Sequence, residues 1–187
     1  MPTAFDRFKQ EGDIVGRLVI EYGELEWDLC LLVSHVTQNL DTVLKAMYRS
    51  RGETQRIDVA DALARNQFPV GRLRTIYEQT LKQMRTCLKI RNQYAHTNWV
   101  RTATDELCFV NIEELAKSHE VVDTGDLQLY RLDMETIEDQ ARFFNEVMQN
   151  LRYLNMEVQH LKGTNPLTGY HYIKKVKEPM MAQPFTG

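Results

Sequence analysis

From about Arg72 to Thr97, after a turn around Pro69, the chain carries an amphipathic pattern long enough for one helix of about 39 Å. At about 100° per residue with Leu88 as origin, Tyr77, Leu81, Met84, Ala95 and Trp99 all fall within roughly 40° of zero. A helix with one apolar stripe of that length must lay it against other elements, so a chain built around it is expected to pack helix on helix. Two further stretches have the same character. From about Asp13 to Asn39, Val15, Leu18, Val19, Tyr22, Leu25, Leu29, Val33 and Val36 fill one apolar arc. From about Met134 to Leu161, behind an Asp133 cap, Ile137, Ala141, Phe144, Val147, Met148, Leu151, Leu154 and Val158 form an inner face.

The remaining pieces are shorter. Residues 1–11 read as a lead-in, with Pro2 and Gly12 limiting helix. Asp41-Thr42 reads as the cap of a short helix to about Tyr48, and another helix is expected from about Glu53 to Arg65. Leu107–Ile112 and Leu127–Leu132 are rich in β-formers, with turn material at Thr124-Gly125-Asp126, and predict a two-stranded hairpin. Between them, Glu113 to His119 either lengthens the first strand or makes one helical turn. The expected fold is mainly α: an antiparallel bundle of four to five helices with a small β-hairpin insertion, about 107–132, before the last long helix. Residues 1–162 form the bundle domain. Residues 163–187, with Pro166, Pro179, Pro184 and three glycines, are an extended tail outside the bundle core, whose Tyr170, Tyr172 and Phe185 can latch onto a groove.

Composition excludes several classes. No apolar run approaches a membrane span, and Met1 to Gln10 lack a signal-peptide core, so a cytoplasmic protein with no membrane partner is expected. Cys30, Cys87 and Cys108 are unclustered and have apolar neighbours, as reduced core thiols do. His35, His96, His119, His160 and His171 are scattered without metal-ligand spacing, so neither a metal nor another cofactor is expected; His35, His119 and His160 read as solvated. Gly163 to Gly169 lacks the Lys-Ser/Thr ending of a phosphate loop, and no serine sits in a nucleophile elbow. The net charge is only −3, yet it is unevenly spread. Residues 45–101 carry twelve Lys/Arg against four acids, net +8, and residues 102–160 four against thirteen, net −9. Such a split gives a domain a basic and an acidic side, or a surface complementary to a second copy.

What remains is a polar cluster at the end of the long helix, Ile90-Arg91-Asn92-Gln93-Tyr94-Ala95-His96. On the wheel Arg91 sits at about −60°, on the flank of the apolar stripe, while Asn92 and His96 lie one turn apart at about 40° and 80°, with Arg85 and Lys89. In the Asp13–Asn39 helix, Glu26 falls inside the apolar arc between Val19 and Val33, where a carboxylate needs a cation, and Arg91 is the natural candidate. Glu21 and Asp28 border that arc and read as solvated.

Arg91-Asn92-x-x-Ala95-His96, at the end of a long helix in a helical chain, resembles the R-polar-x-x-x-H motif of HEPN domains, the "higher eukaryotes and prokaryotes nucleotide-binding" helical bundles. The resemblance covers residues 12–160 as an architecture and six residues as a motif, with Trp99 after the histidine and Leu25-Glu26 on a flanking helix also fitting. Many HEPN proteins are metal-independent endoribonucleases, and some act as toxins or phage-defence effectors. The resemblance implies a homodimer that brings two copies of His96 and Arg91 into one cleft, with Asn92 in the site and Glu26 and Tyr94 in support. Histidine suits proton transfer near neutral pH, arginine suits the phosphorane, and Arg85, Lys89 and Arg101 are the expected RNA-binding cations. Two residues after the histidine, where several such toxins carry tyrosine, this chain has Asn98. Two readings stay open. One is an RNA-cleaving dimer, and the other is a non-catalytic HEPN-like scaffold that binds RNA, a protein partner or an antitoxin.

Overall fold

No proline stands between residues 3 and 68 or between 70 and 165, so no proline breaks a long helix there. The computed structural model describes residues 3–68, 71–118, 123, 125, 127–164 and 169–185. Its elements are α1 (Ala4–Arg7), α2 (Lys9–Thr37), α3 (Leu40–Tyr48), α4 (Glu53–Ala64), a 3-10 turn (Arg65–Gln67), α5 (Arg72–Ala95), β1 (Asn98–Arg101), β2 (Leu107–Val110), α6 (Ile112–Ser118), β3 (Tyr130–Arg131), α7 (Met134–Leu161) and β4 (Gln183–Pro184). The protein is mainly helical with one small antiparallel sheet, in the order β1-β2-β3-β4. Among the described residues, no helix is long and apolar enough to cross a membrane.

Chain contacts divide the molecule into two compact units: Met1–Ile20 with Lys89–Arg142 and Glu178–Gly187, and Glu21–Leu88 with Phe143–Lys177. In the second unit, Leu25, Leu29, Leu32, Met47, Ile57, Leu81, Met84 and Phe144 are fully buried. Glu26 is buried as its place in the apolar arc requires, and a cation that the wheel did not single out meets it: Arg56 Nη1 lies 2.8 Å from its Oε2. Asp28, expected in solvent, is instead 8% exposed and bound by Arg152 at 2.9 Å. The arginine lies more than a hundred residues away, out of reach of a single-helix wheel. His35 is likewise half-buried rather than solvated, with Nδ1 2.6 Å from Asn155 Oδ1, whereas His160 is exposed. His119 and Pro69 lie outside the described residues. Asn39, one residue ahead of the helix, caps α3 by accepting from Thr42 N, so Asp41 is already in the first turn. The tail docks here through Asn150, whose side chain brackets the Ile173 backbone, and through Tyr172, whose ring lies 5.8 Å from that of Tyr153.

The first unit holds the sheet. α2 begins at Lys9, four residues earlier than expected, because Gly12 opposes no helix where it leaves room for a neighbour. A Cβ there would stand 2.8 Å from the Phe5 ring, so the missing side chain is the space that α1 fills. α5 stops at Ala95, and the wheel's continuation to Trp99 fails because residues 98–101 enter a β ladder. Trp99 pairs with Phe109, and Asp105, with φ 62°, closes the β1–β2 hairpin. The expected pairing of the 107 and 127 regions survives in reduced form as Cys108 opposite Arg131 and Phe109 opposite Tyr130. The hairpin is therefore two strands of a four-stranded sheet, completed from the tail by Gln183 opposite Arg131 and Pro184 opposite Tyr130. Residues from Ile112 form two helical turns, more than the one foreseen. α7 starts where its cap predicts, with Thr136 N donating to Asp133 Oδ1, and Gly163 at φ 67° ends it.

Candidate functional site

The end of α5 carries polar side chains on one flank because its apolar residues, Leu88, Ile90 and Tyr94, are committed to the core. Lys89, Asn92 and Gln93 on this flank, with His96 just past the helix, form one side of a cleft of about 790 Å³. His96 is exposed, and its backbone N still donates to Asn92 O at 3.2 Å, so it continues the helical turn for one residue. Phe109 and Asn111 from the sheet, Glu113 and Lys117 from α6, Tyr130 from β3, and Met181 and Ala182 from the tail supply the remaining walls.

The electrostatics of this cleft are mixed and locally ordered. Lys117 hydrogen-bonds Glu113 one turn earlier, and this bond, with the ammonium charge, holds the Glu113 carboxyl below the usual carboxylate range; His96 adds a smaller push in the same direction. Lys89 is exposed and has no ion-pair partner among the described residues. The cleft thus offers an imidazole, an ionised carboxylate, two ammonium groups and several amides.

The sequence-derived site residues separate into groups. Asn92 and His96 line the cleft, as the wheel angles imply. Arg91 is half-buried and is not part of the lining; its Nη1 donates to Asn92 Oδ1 at 2.8 Å. Tyr94 is buried, and its hydroxyl donates to Gln140 Oε1. Burial pushes the phenol well up, so it remains a neutral donor. Glu26 belongs to the other unit with Arg56. Of the three expected RNA-binding cations only Lys89 lines the cleft. Arg85 is bound to Asp58 at 2.8 Å. Arg101 is bound to Asp105 at 2.7 Å, with Arg7 on the same carboxylate at 3.2 Å, and lines a second cleft beside Phe5 and Trp99.

Lys117, Glu113, Tyr130 and Met181 were not found from sequence. The strand pattern around Leu127–Leu132 was a signal for Tyr130; nothing local pointed to Met181, which reaches the cleft through a long return of the tail. Among the described residues, no group of three or more His, Cys, Asp or Glu is placed to hold a metal ion. The thiols of Cys30, Cys87 and Cys108 are buried and raised by burial, which leaves them inert as nucleophiles. Comparison with protein-family models, with curated proteins and with solved structures finds no match for this chain.

Proposed function

We propose that this chain is a HEPN-like, metal-independent endoribonuclease, working as a homodimer whose two clefts combine into one site. The observation that carries the reading is the presence of His96 and Asn92 in one open cleft with Lys89 and Lys117. In the reaction His96 takes the proton from a ribose 2′-OH as its oxygen attacks the adjacent phosphorus. The P–O5′ bond breaks, the leaving oxygen receives a proton from the second copy's imidazole, and the product ends in a 2′,3′-cyclic phosphate. Arg91, acting through Asn92, orients the amide that donates to the phosphorane, while Lys89 attracts the backbone. Glu113, held ionised by Lys117, is not the missing acid.

Incubating the purified protein with labelled single-stranded RNA in EDTA tests this directly. The wild type is expected to cut, leaving cyclic phosphate ends, and His96→Ala to remain folded while losing nearly all cleavage, because the side chain is exposed and bears little on stability. Absence of cutting under every tested condition would move the assignment to the non-catalytic scaffold. Light scattering at micromolar concentration should give a dimer mass; a monomer that cleaves would instead place both proton transfers on Glu113 and His96 of one copy.

A further inference from the structure

In antiparallel strands, directly opposed residues share a face, so the register lines up Trp99, Phe109, Tyr130 and Pro184 as one row across all four strands. The ring contacts follow this row. Trp99 lies 5.4 Å from Phe109, and Phe109 lies 5.6 Å from Tyr130 at an interplanar angle of 16°. Within the row Phe109 is 1% exposed and Tyr130 half-buried, and both line the same space as His96. The Tyr130 ring lies nearly parallel to that of Phe109 in an offset contact, and the half-buried side chain lines the cleft.

We propose that Tyr130 is a stacking platform for an unpaired nucleobase, so that the cleft takes single-stranded rather than duplex RNA; this rests on reading the cleft as an RNA site. Met181 lines the same cleft, one residue past Met180, whose backbone α7 holds, and the base enters beside Tyr130. Lys89, on another wall of the same cleft, meets the phosphates, while Lys117 stays with Glu113. A duplex keeps its bases stacked on one another and presents no free base face to a single ring, whereas a single strand gives one up at modest cost. Stacking tolerates any base, so weak sequence preference is expected.

Binding measured in the His96→Ala background, with EDTA, separates this proposal from cleavage. A fluorescein-labelled single-stranded RNA of ten nucleotides should bind, and the duplex of the same sequence should bind at least about tenfold more weakly. Tyr130→Leu, which keeps apolar bulk against Phe109, should weaken single-strand binding about tenfold or more, and Tyr130→Phe should hold it within about twofold. As a readout independent of any change at Tyr130, 2-aminopurine within the strand should lose fluorescence on binding His96→Ala. Equal affinity of Tyr130→Leu and its parent, equal affinity for duplex, or no quenching would overturn the proposal, even if the wild type cuts RNA. A wild type that never cuts, with Tyr130-dependent binding and quenching intact, would overturn the ribonuclease reading alone.

Discussion

Asn92 Oδ1 accepts a hydrogen bond from Arg91 Nη1 at 2.8 Å, although the two residues are adjacent in sequence. With its oxygen engaged by the guanidinium, the amide has its two N–H donors left for other partners, and Asn92 lines the cleft. An arginine at about −60° on the wheel, outside the cleft lining, is thus tied to an amide that shares the cleft with His96. The arginine need not enter the cleft to matter to it, because it sets which end of the amide does.

Asn92→Asp separates these roles. The carboxylate keeps an acceptor for Arg91 and makes the bond charge-assisted, so the thermal midpoint should hold or rise slightly. It removes both N–H donors and places a negative charge in the cleft proposed to take phosphate. Cleavage of single-stranded RNA should fall by about a hundredfold or more, the scale of losing one oxyanion donor. Wild-type activity in Asn92→Asp would show that the amide donates nothing to the reaction.

In the other unit, Arg56 meets a Glu26 side chain that is only 7% exposed, and its guanidinium also lies 5.3 Å from the Tyr48 ring centroid. Removing the cation from a buried carboxylate costs more than the pair itself contributes. Arg56→Ala should destabilise by about 2–4 kcal/mol in urea unfolding, and Glu26→Gln by less, since a neutral amide needs no counter-charge. Equal costs would mean that the packing of the arginine stem, not its charge, is what matters.

The long helices were legible because burial repeats every turn: on α7, Ile137, Phe144, Val147, Leu151, Leu154 and Val158 are all buried as their spacing requires. Asn92 and His96 were legible together for the same reason, being one turn apart. Trp99 misled because it lies eleven residues from Leu88, a helical repeat, while the partner that decides its conformation, Phe109, belongs to a strand. Asp28 and Glu26 were legible as residues near an apolar arc, but their partners Arg152 and Arg56 depend on which helices meet, and no wheel holds that information. The share of the tail in the cleft was least legible, since a two-residue strand has no periodicity to read.

Acid stability should depend on two aspartates with opposite signs. Thr136, through its backbone N–H first and then its hydroxyl, holds Asp133 below the usual carboxylate range. Its contribution is complete above the unfolded-state value and is lost as pH falls through the folded one. Asp28 is raised, mainly by burial and against the pull of Arg152, so it favours the folded state most at low pH and less as pH rises through its folded value. Asp133→Ala should cost about 1 kcal/mol at pH 7, as loss of a helix cap does, and little at pH 2. Its acid limb, measured by urea unfolding from pH 2 to 6, should be flatter than wild type, and that of Asp28→Asn steeper. Parallel limbs in all three proteins would contradict both assignments.

Gln140 and Asp139 fasten the tail beside the cleft. Gln140 is fully buried; its Oε1 accepts from the Tyr94 hydroxyl and its Nε2 donates to Met180 O at 2.8 Å. Next to it, Asp139 Oδ2 accepts from Met180 N at 2.8 Å, so both backbone groups of Met180 are held by α7. Gln140→Leu keeps most of the volume but deprives the phenol and the Met180 carbonyl of their partner, and should cost about 2–3 kcal/mol. Tyr94→Phe in that background removes the stranded hydroxyl and should return about 1 kcal/mol, although Tyr94→Phe alone is destabilising. Hydrogen exchange gives a second readout: Phe185 N, which donates to Leu129 O at 2.8 Å, should lose protection in Gln140→Leu while the amides of α7 keep theirs. Deleting residues 178–187 should leave a folded helical protein whose cleft lacks the Met181 wall. Additive effects of Gln140→Leu and Tyr94→Phe, with Phe185 still protected, would show that β4 holds itself in place and that the glutamine is not its anchor.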